Sequence, residues 1–412
     1  MIENLRKDAD FIIKKSIQAV LPDEAVIKAL RNFSCEKGKI ILVAAGKAAW
    51  QMAAAASSVL PHVDDGIVIT KYGHIKGDIE GIECYEAGHP VPDENSFAAT
   101  KKALEKVSDL SENDTVVFLL SGGGSALFEL PLIPGEELQD ITRQLLSSGA
   151  DITSINTIRK RLSHVKGGRF AISCAPARVF SIVLSDIIGD PLDMIASGPA
   201  YPDNSTCDEA YAIALKYGLV LSEDARKLLG IETPKVLENV ETHITGSVRE
   251  LCKAAAESCR ELGYESIILT DELCCEAREA GSFLASIAKT NAKVGKKIAF
   301  IAGGETVVHL TGSGKGGRNQ ELALAAAEGI GALDANIAIF SVGSDGTDGP
   351  TDAAGGYVDT DTLTELMDKG INIDVILANN DAYNALKETG GLIFTGATGT
   401  NVNDVAVVLI RD

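Results

Sequence analysis

Lys297 to Leu324 reads KIAFIAGGETVVHLTGSGKGGRNQELAL, and its texture is that of a strand, a glycine loop and a helix. The apolar, β-branched run Ile298–Ile301 meets Gly303, Gly304 and Glu305. A second apolar run, Thr306–Leu310, leads into Gly312–Gly317, and Arg318 opens an Ala/Leu-rich segment. A glycine loop feeding a helix N-terminus presents backbone N–H groups and the positive end of the helix dipole, a recipe for holding phosphate or carboxylate. Gly316, Gly317, Arg318 and Asn319 are therefore candidate anion-binding residues. The plainer alternative is a tight turn that needs glycine for positive φ. Four glycines in six residues exceed that need.

The same alternation of strand-like and helix-like segments extends on both sides. Upstream, KIILVAAGKAAWQM gives a buried strand over Ile40–Ala44, a turn at Gly46 and a helix from near Lys47. That lysine sits where open α/β sheets place ligands, and a cation at a helix N-terminus works against the dipole. A local conflict of this kind points to a bound ligand that compensates it. Thr115–Leu120 is another strand and runs straight into Ser121, Gly122, Gly123, Gly124 and Ser125. Consecutive glycines between serines can form a concave nest of N–H groups around an anion. His74 and His89, in polar loops after two further strands, read as loop-packing residues.

INTIRKRLSHVKGGR, residues 155–169, gathers six basic side chains in an acidic chain. Ile155, Ile158, Leu162 and Val165 fall at helical spacing, so part of the basic set should be a solvated helix face. Arg159 and Lys166 are the members best suited to a carboxylate or phosphate. Val179–Leu184 is a strand followed by Asp186, Asp190 and Asp193, which could hold Mg²⁺ or serve catalysis, or simply form turns. Asp345, Asp348 and Asp352 recur in a second glycine-rich acidic loop. The loop before the last strand, with Thr395, Thr398, Thr400, Asn401 and Asn403, offers hydrogen bonds to a sugar-like ligand.

At 412 residues the chain exceeds what one core usually organises, so two domains are expected. Residues 201–240 lack a strand-like run and read as the crossover, giving domains 1–230 and 231–412. The fold class expected is α/β, with two α/β domains of largely parallel sheet. A net charge of −20 argues against nucleic acid or an anionic membrane as partner. Eight cysteines without metal-like spacing suit reduced thiols in a cytoplasmic protein. The N-terminal segment has no apolar run long enough for export or a membrane span, and places Ala9, Ile13, Ile17 and Val20 on one helix face.

No GxxxxGK[ST] is present, whereas Gly312–Gly317 fits GxGxxG with Asp345 at the end of the next strand. A nicotinamide-dependent reductase is thus one reading. Several anion-holding elements at strand ends favour instead a ligand with many negative charges, such as a nucleoside triphosphate beside a small acid.

SGGGSALFELP, NTIRKRLSHVKGGRF, SDIIGDPLDMIASGPAYPD, GGETVVHLTGSGKGGRNQELAL and SDGTDGPTDAAGG closely resemble the glycerate 2-kinase family, whose C-terminal part is the MOFRL domain. The resemblance spans nearly the whole chain. It implies ATP-dependent phosphorylation of (R)-glycerate at the 2-hydroxyl with Mg²⁺, giving 2-phosphoglycerate and ADP. It further implies a Rossmann-like first domain and an active site in the interdomain cleft. The family's essential lysine and arginine match Lys47 and Arg318. Arg161 stands where the NxxRKxLS pattern leads one to expect histidine. Members have also carried the name hydroxypyruvate reductase, an NAD(P)H-dependent activity that coincides with the rival reading. On this basis Lys47, Arg318 and Asp186 are expected to be catalytic. Ser121 to Ser125, Arg159, Lys166, Gly316, Gly317 and Asn319 would bind substrate or phosphate, and Asp190, Asp345 and Asp348 would hold metal. The expected partners are glycerate and ATP, with a homodimer left open.

Overall fold

The structure, a computed structural model, describes residues 2–31, 33–35, 37–185, 189, 192–293, 295–331 and 333–411. The chain forms two compact units, one of residues 22–185 and 192–245, the other joining residues up to Leu21 and Gly189 to those from Gly246 onward. Each is built on a six-stranded sheet.

In the first unit the strands are β1 (Ile40–Ala45), β2 (Asp65–Lys71), β3 (Ile82–Ala87), β4 (Thr115–Leu120), β5 (Arg178–Leu184) and β6 (Val240–Gly246). Their order across the sheet is β3-β2-β1-β4-β5-β6, and β1 to β5 pair in parallel. Continuous apolar strands such as TVVFLL, buried at every position, suit a parallel sheet covered on both faces. This is the strand order of Rossmann folds, as expected.

The second sheet contains β7 (Glu265–Leu273), β8 (Ile298–Gly304), β9 (Asn336–Gly343), β10 (Gly355–Asp359), β11 (Leu392–Ile393) and β12 (Asp404–Arg411), ordered β11-β10-β9-β12-β8-β7. The α/β class holds, but here only β7 and β8 pair in parallel; β12 runs antiparallel to both β8 and β9, and β10 to both β9 and β11. The cause is the connections. A parallel return needs a crossover of about a dozen residues or more, usually helical. The links from β9 to β10 and from β11 to β12 carry no helix, so each reverses direction. Alternation along β8 feeds two cores. Ile298, Phe300 and Ala302 face helices α5 (Ala277–Asn291) and α6 (Arg318–Ile330), whereas Ala299 and Ile301 face α1 (Ile2–Ala19) and α4 (Val248–Glu261).

Two boundaries differ from the sequence expectation of 230/231. Leu5, Ala9, Ile12, Ile13 and Ile17 of α1 are buried in the second unit's core, so the N-terminal helix belongs there. Residues 231–245 stay with the first unit because β6 completes its sheet. Composition could not reveal either, since an amphipathic helix or an edge strand is equally suited to both sheets.

Candidate active site

In the first sheet, β1 and β4 are neighbours from which the strand order runs in opposite directions, and ligands of such folds bind at the carboxyl ends flanking this reversal. The turn after β1 carries Gly46 and Lys47, and helix α2 (Ala49–Val59) begins two residues later than expected. The turn after β4 carries Ser121 to Ser125. The two turns are laced together. Lys47 N–H donates to Gly122 O at 2.9 Å, Ser121 N–H to Ala45 O at 3.0 Å, and Ala48 N–H to Ser121 Oγ at 3.1 Å. Gly46 has φ +126°, and a β-carbon there would lie 2.2 Å from Ser121 Oγ, so only glycine permits this approach. Ser121 is thus a buried tie between the turns, not a ligand-facing hydroxyl. The N–H groups of Gly122 and Gly123 have no acceptor among the described residues, and neither does the exposed Lys47 ammonium. An anion would find a cation and two uncommitted amides there.

Behind this turn lies the basic segment, and it is not a solvated face. Arg159 and Lys160, on helix α3 (Ile152–Arg161), are buried, as are Arg161 and Lys166. Arg159 and Lys166 both donate to Ser125 O, at 2.8 and 2.9 Å, and both lie 3.4 Å from the buried carboxylate of Glu129. Burial pushes the Lys166 ammonium down to about 8, while Glu129 pulls it back up. A fully buried Lys166 cannot touch a ligand in this state. With Arg159 it fixes the carbonyl at the end of the nest. Lys160 is spent on Asp193 and Asp203, at 3.2 and 3.1 Å, and Arg161 on Thr157 O and Ser205. The histidines read as loop packing do pack, but around Lys47: His74 Nδ1 lies 3.0 Å from Lys47 O, and the His89 ring covers Gly123.

In the second unit, Arg318 is the first residue of α6. Its Nε and Nη2 donate to Asp404 at 2.6 and 3.1 Å, and Nη1 to Glu305 at 2.9 Å. Burial disfavours the charge, yet Asp404 and Glu305 hold the guanidinium well above the usual arginine range. Asp404 itself is raised by burial, against the pull of Arg318.

The helix N-terminus, however, is already occupied. Asp348 Oδ1 accepts from Asn319 N–H at 3.1 Å and Oδ2 from Gln320 N–H at 2.9 Å, while Asn319 Oδ1 accepts from Ser341 Oγ at 2.6 Å. Asp348 is a cap, and Asn319 a buried support; the metal role expected for the first and the anion role for the second meet groups already committed. A β-carbon on Gly317 would lie 2.3 Å from Asp348 Cγ, so this glycine makes room for the cap.

The loop N–H groups from Thr311 to Lys315 are committed as well, whereas those of Gly316 and Gly317 have no acceptor among the described residues. Those of Thr311 and Gly312 bond Asn380 Oδ1, Ser313 bonds Asn379 Oδ1, Gly314 bonds Asn379 O and Lys315 bonds Asp381 Oδ1. Most of the GxGxxG run therefore packs on a neighbouring turn, which leaves only the Gly316 and Gly317 amides for an anion and weakens the case for a dinucleotide fingerprint. Hydroxyls of the loop before β12 are likewise internal: Thr398 bonds Ser344 O and Thr400 bonds Val20 O.

Asp186 and Asp190 lie outside the described residues. Asp345 accepts Thr347 N–H on one oxygen and has no side-chain partner on the other among the described residues. Asp352 is bonded by Tyr383. Among the described residues no group of three or more His, Cys, Asp or Glu could by itself hold a metal. None of their helices is long and apolar enough to cross a membrane.

Residues 8–230 match the family model described as a domain of unknown function, DUF4147, and residues 298–404 match the MOFRL family. A D-glycerate 2-kinase of Thermotoga maritima is 53% identical, covering 99% of each chain. A glycerate 2-kinase of Pyrococcus horikoshii is 41% identical over 97% of this chain and 96% of its own. A crystal structure of glycerate kinase from Thermotoga maritima superposes with a TM-score of 0.94, covering 99% of this chain and all of that one.

Proposed function

The chain belongs to the glycerate 2-kinase family, and from that premise we propose how its residues achieve ATP-dependent phosphorylation of (R)-glycerate at the 2-hydroxyl, giving 2-phosphoglycerate and ADP. The observation that carries the assignment of residues is the Lys47 ammonium near the N–H groups of Gly122 and Gly123, all three without a partner among the described residues, at the reversal of a Rossmann-type sheet. Small anions such as the glycerate carboxylate or a nucleotide phosphate suit this corner. The Arg159–Glu129–Lys166 strut keeps its floor in place.

Phosphoryl transfer passes through a loose transition state, so the protein mainly positions two substrates and neutralises charge. Lys47 neutralises phosphate or carboxylate charge from the first unit. Arg318 has N–H groups to spare beyond its bonds to Asp404 and Glu305, and acts on the transferring phosphoryl group. Mg²⁺ commonly uses one or two carboxylates and completes its shell with phosphate oxygens and water. Asp345 fits that demand through its unbonded oxygen, and the ion would supply charge neutralisation on the nucleotide. A carboxylate such as Asp186 or Asp190 was expected to share this work and lies outside the described residues. Eight free thiols suit a cytoplasmic enzyme.

The test is Lys47→Met in an assay of glycerate-dependent ADP release. A fall in kcat/KM for glycerate of about 10² or more is expected from loss of preorganised charge. Wild-type kinetics in the variant would remove Lys47 from the site.

A further inference from the structure

Transfer to the glycerate hydroxyl needs a group that accepts its proton. His89 lies two residues beyond β3, on the same edge of the sheet as the turns after β1 and β4. A β-carbon placed on Gly123, where φ is +85°, would be 3.0 Å from His89 Cδ2, 3.1 Å from Nε2 and 3.1 Å from Lys47 Cγ. The edge of the imidazole therefore lies against the glycine whose N–H is unspent, beside the free ammonium. Neither ring nitrogen has a hydrogen-bond partner among the described residues. His74 differs, since its Nδ1 meets Lys47 O and it props that backbone.

Among the described residues no carboxylate bonds the His89 ring. Asp93, on the following turn, is held by Tyr72 Oη and Ser96 N–H, and Glu86 accepts the N–H groups of Gly73, His74 and Ile75. Among the described residues the cations facing it are Lys47 and Lys71, with the His74 imidazole beside them. Burial first, and then the lysine charges, hold the imidazole below the usual histidine value, so it is neutral at pH 7 with a lone pair available.

We infer that His89 is the general base of the transfer, accepting the glycerate 2-hydroxyl proton on a ring nitrogen. As the hydroxyl oxygen bonds to the γ-phosphorus of ATP, the bond from phosphorus to the β–γ bridging oxygen breaks and its electron pair leaves on ADP. The proton remains on the imidazole until solvent removes it. The inference rests on the kinase reading.

The test is His89→Ala, assayed by ADP release with glycerate and Mg-ATP, with and without added imidazole. A positioned base contributes about 10² or more, so activity should fall by about that factor. Imidazole should restore a measurable part of it, in proportion to the unprotonated imidazole present as pH is varied. Activity within about threefold of wild type contradicts the role. So does a loss that imidazole leaves unchanged in a variant whose melting temperature is preserved. Should His89→Ala not fold, His89→Gln replaces it, and the acid limb of its pH–rate profile must be shallower than that of wild type; an identical limb overturns the inference. If wild type releases no ADP with glycerate, the kinase reading itself falls first and takes this with it. Wild-type turnover combined with an unaffected variant removes His89 alone.

Discussion

Arg318 and Asp404 meet at two points, Nε to Oδ2 at 2.6 Å and Nη2 to Oδ1 at 3.1 Å, which fixes the guanidinium plane. Asp404 is the first residue of β12, and β12 lies between β8 and β9, so the central strands of the sheet orient the arginine. Only a planar fork can accept this geometry. Arg318→Ala should lower kcat by about 10³ or more if the arginine meets transition-state charge as arginine fingers do. Arg318→Lys should recover little, because an ammonium cannot satisfy both oxygens in one plane. Steady-state kinetics decide it. A change confined to KM contradicts the role.

Asp404→Asn keeps the shape of the anchor but loses one acceptor and the charge. A hydrogen bond to a charged group contributes about 1.5–3 kcal/mol, so urea unfolding should show a loss of that order. The kcat should fall with it, because the guanidinium is no longer oriented. Loss of stability with unchanged kcat would separate the anchor from the chemistry.

Burial pushes the carboxyl of Asp348 up to about 7, against the N–H groups of Gln320 and Asn319 that pull it down. Between about pH 4 and pH 7 the folded protein holds a proton that the unfolded chain has released, so this group makes stability fall as pH rises through that window. Asp348→Asn removes the titration. The unfolding free energy of the variant relative to wild type should therefore rise from pH 4.5 to pH 7.5 in urea melts. A pH-independent difference would place the carboxyl at its ordinary value.

A β-carbon on Gly312 would lie 2.4 Å from Asn379 Cα, so the glycine loop is a packing surface at this point. Gly312→Ala should cost about 1–3 kcal/mol of stability, the usual range for overpacking. A thermal melt reads this directly. An unchanged melt with an altered KM for ATP would mean that the loop opens to ligand instead.

Much of this was legible from residues alone. The βα alternation and the strand TVVFLL before Ser121 point to the first sheet, and the placement of Lys47 at a strand end points to the corner proposed here for the ligand. What sequence could not supply was partnership. Gly312–Gly317 and Arg318–Gln320 look like an open anion cradle until Asn379–Asp381 and Asp348, 28 or more residues away in the chain, fill most of it. Likewise part of the basic segment reads as a wet face and Arg159 and Lys166 as ligand contacts, because nothing local announces that Glu129 and Asp203 will bury with Arg159, Lys160, Arg161 and Lys166. His89 was passed over for the same reason. Its neighbour Gly123 comes from another strand's turn.

The account stands on phosphoryl transfer to a secondary hydroxyl. Wild-type protein incubated with Mg-ATP and (R)-glycerate, followed by ³¹P NMR, should show ADP appearing in step with a phosphomonoester whose phosphorus couples to a single carbon-bound proton, the signature of the 2-position. No ADP formation with glycerate, alongside oxidation of NADH or NADPH in the presence of hydroxypyruvate, would contradict it.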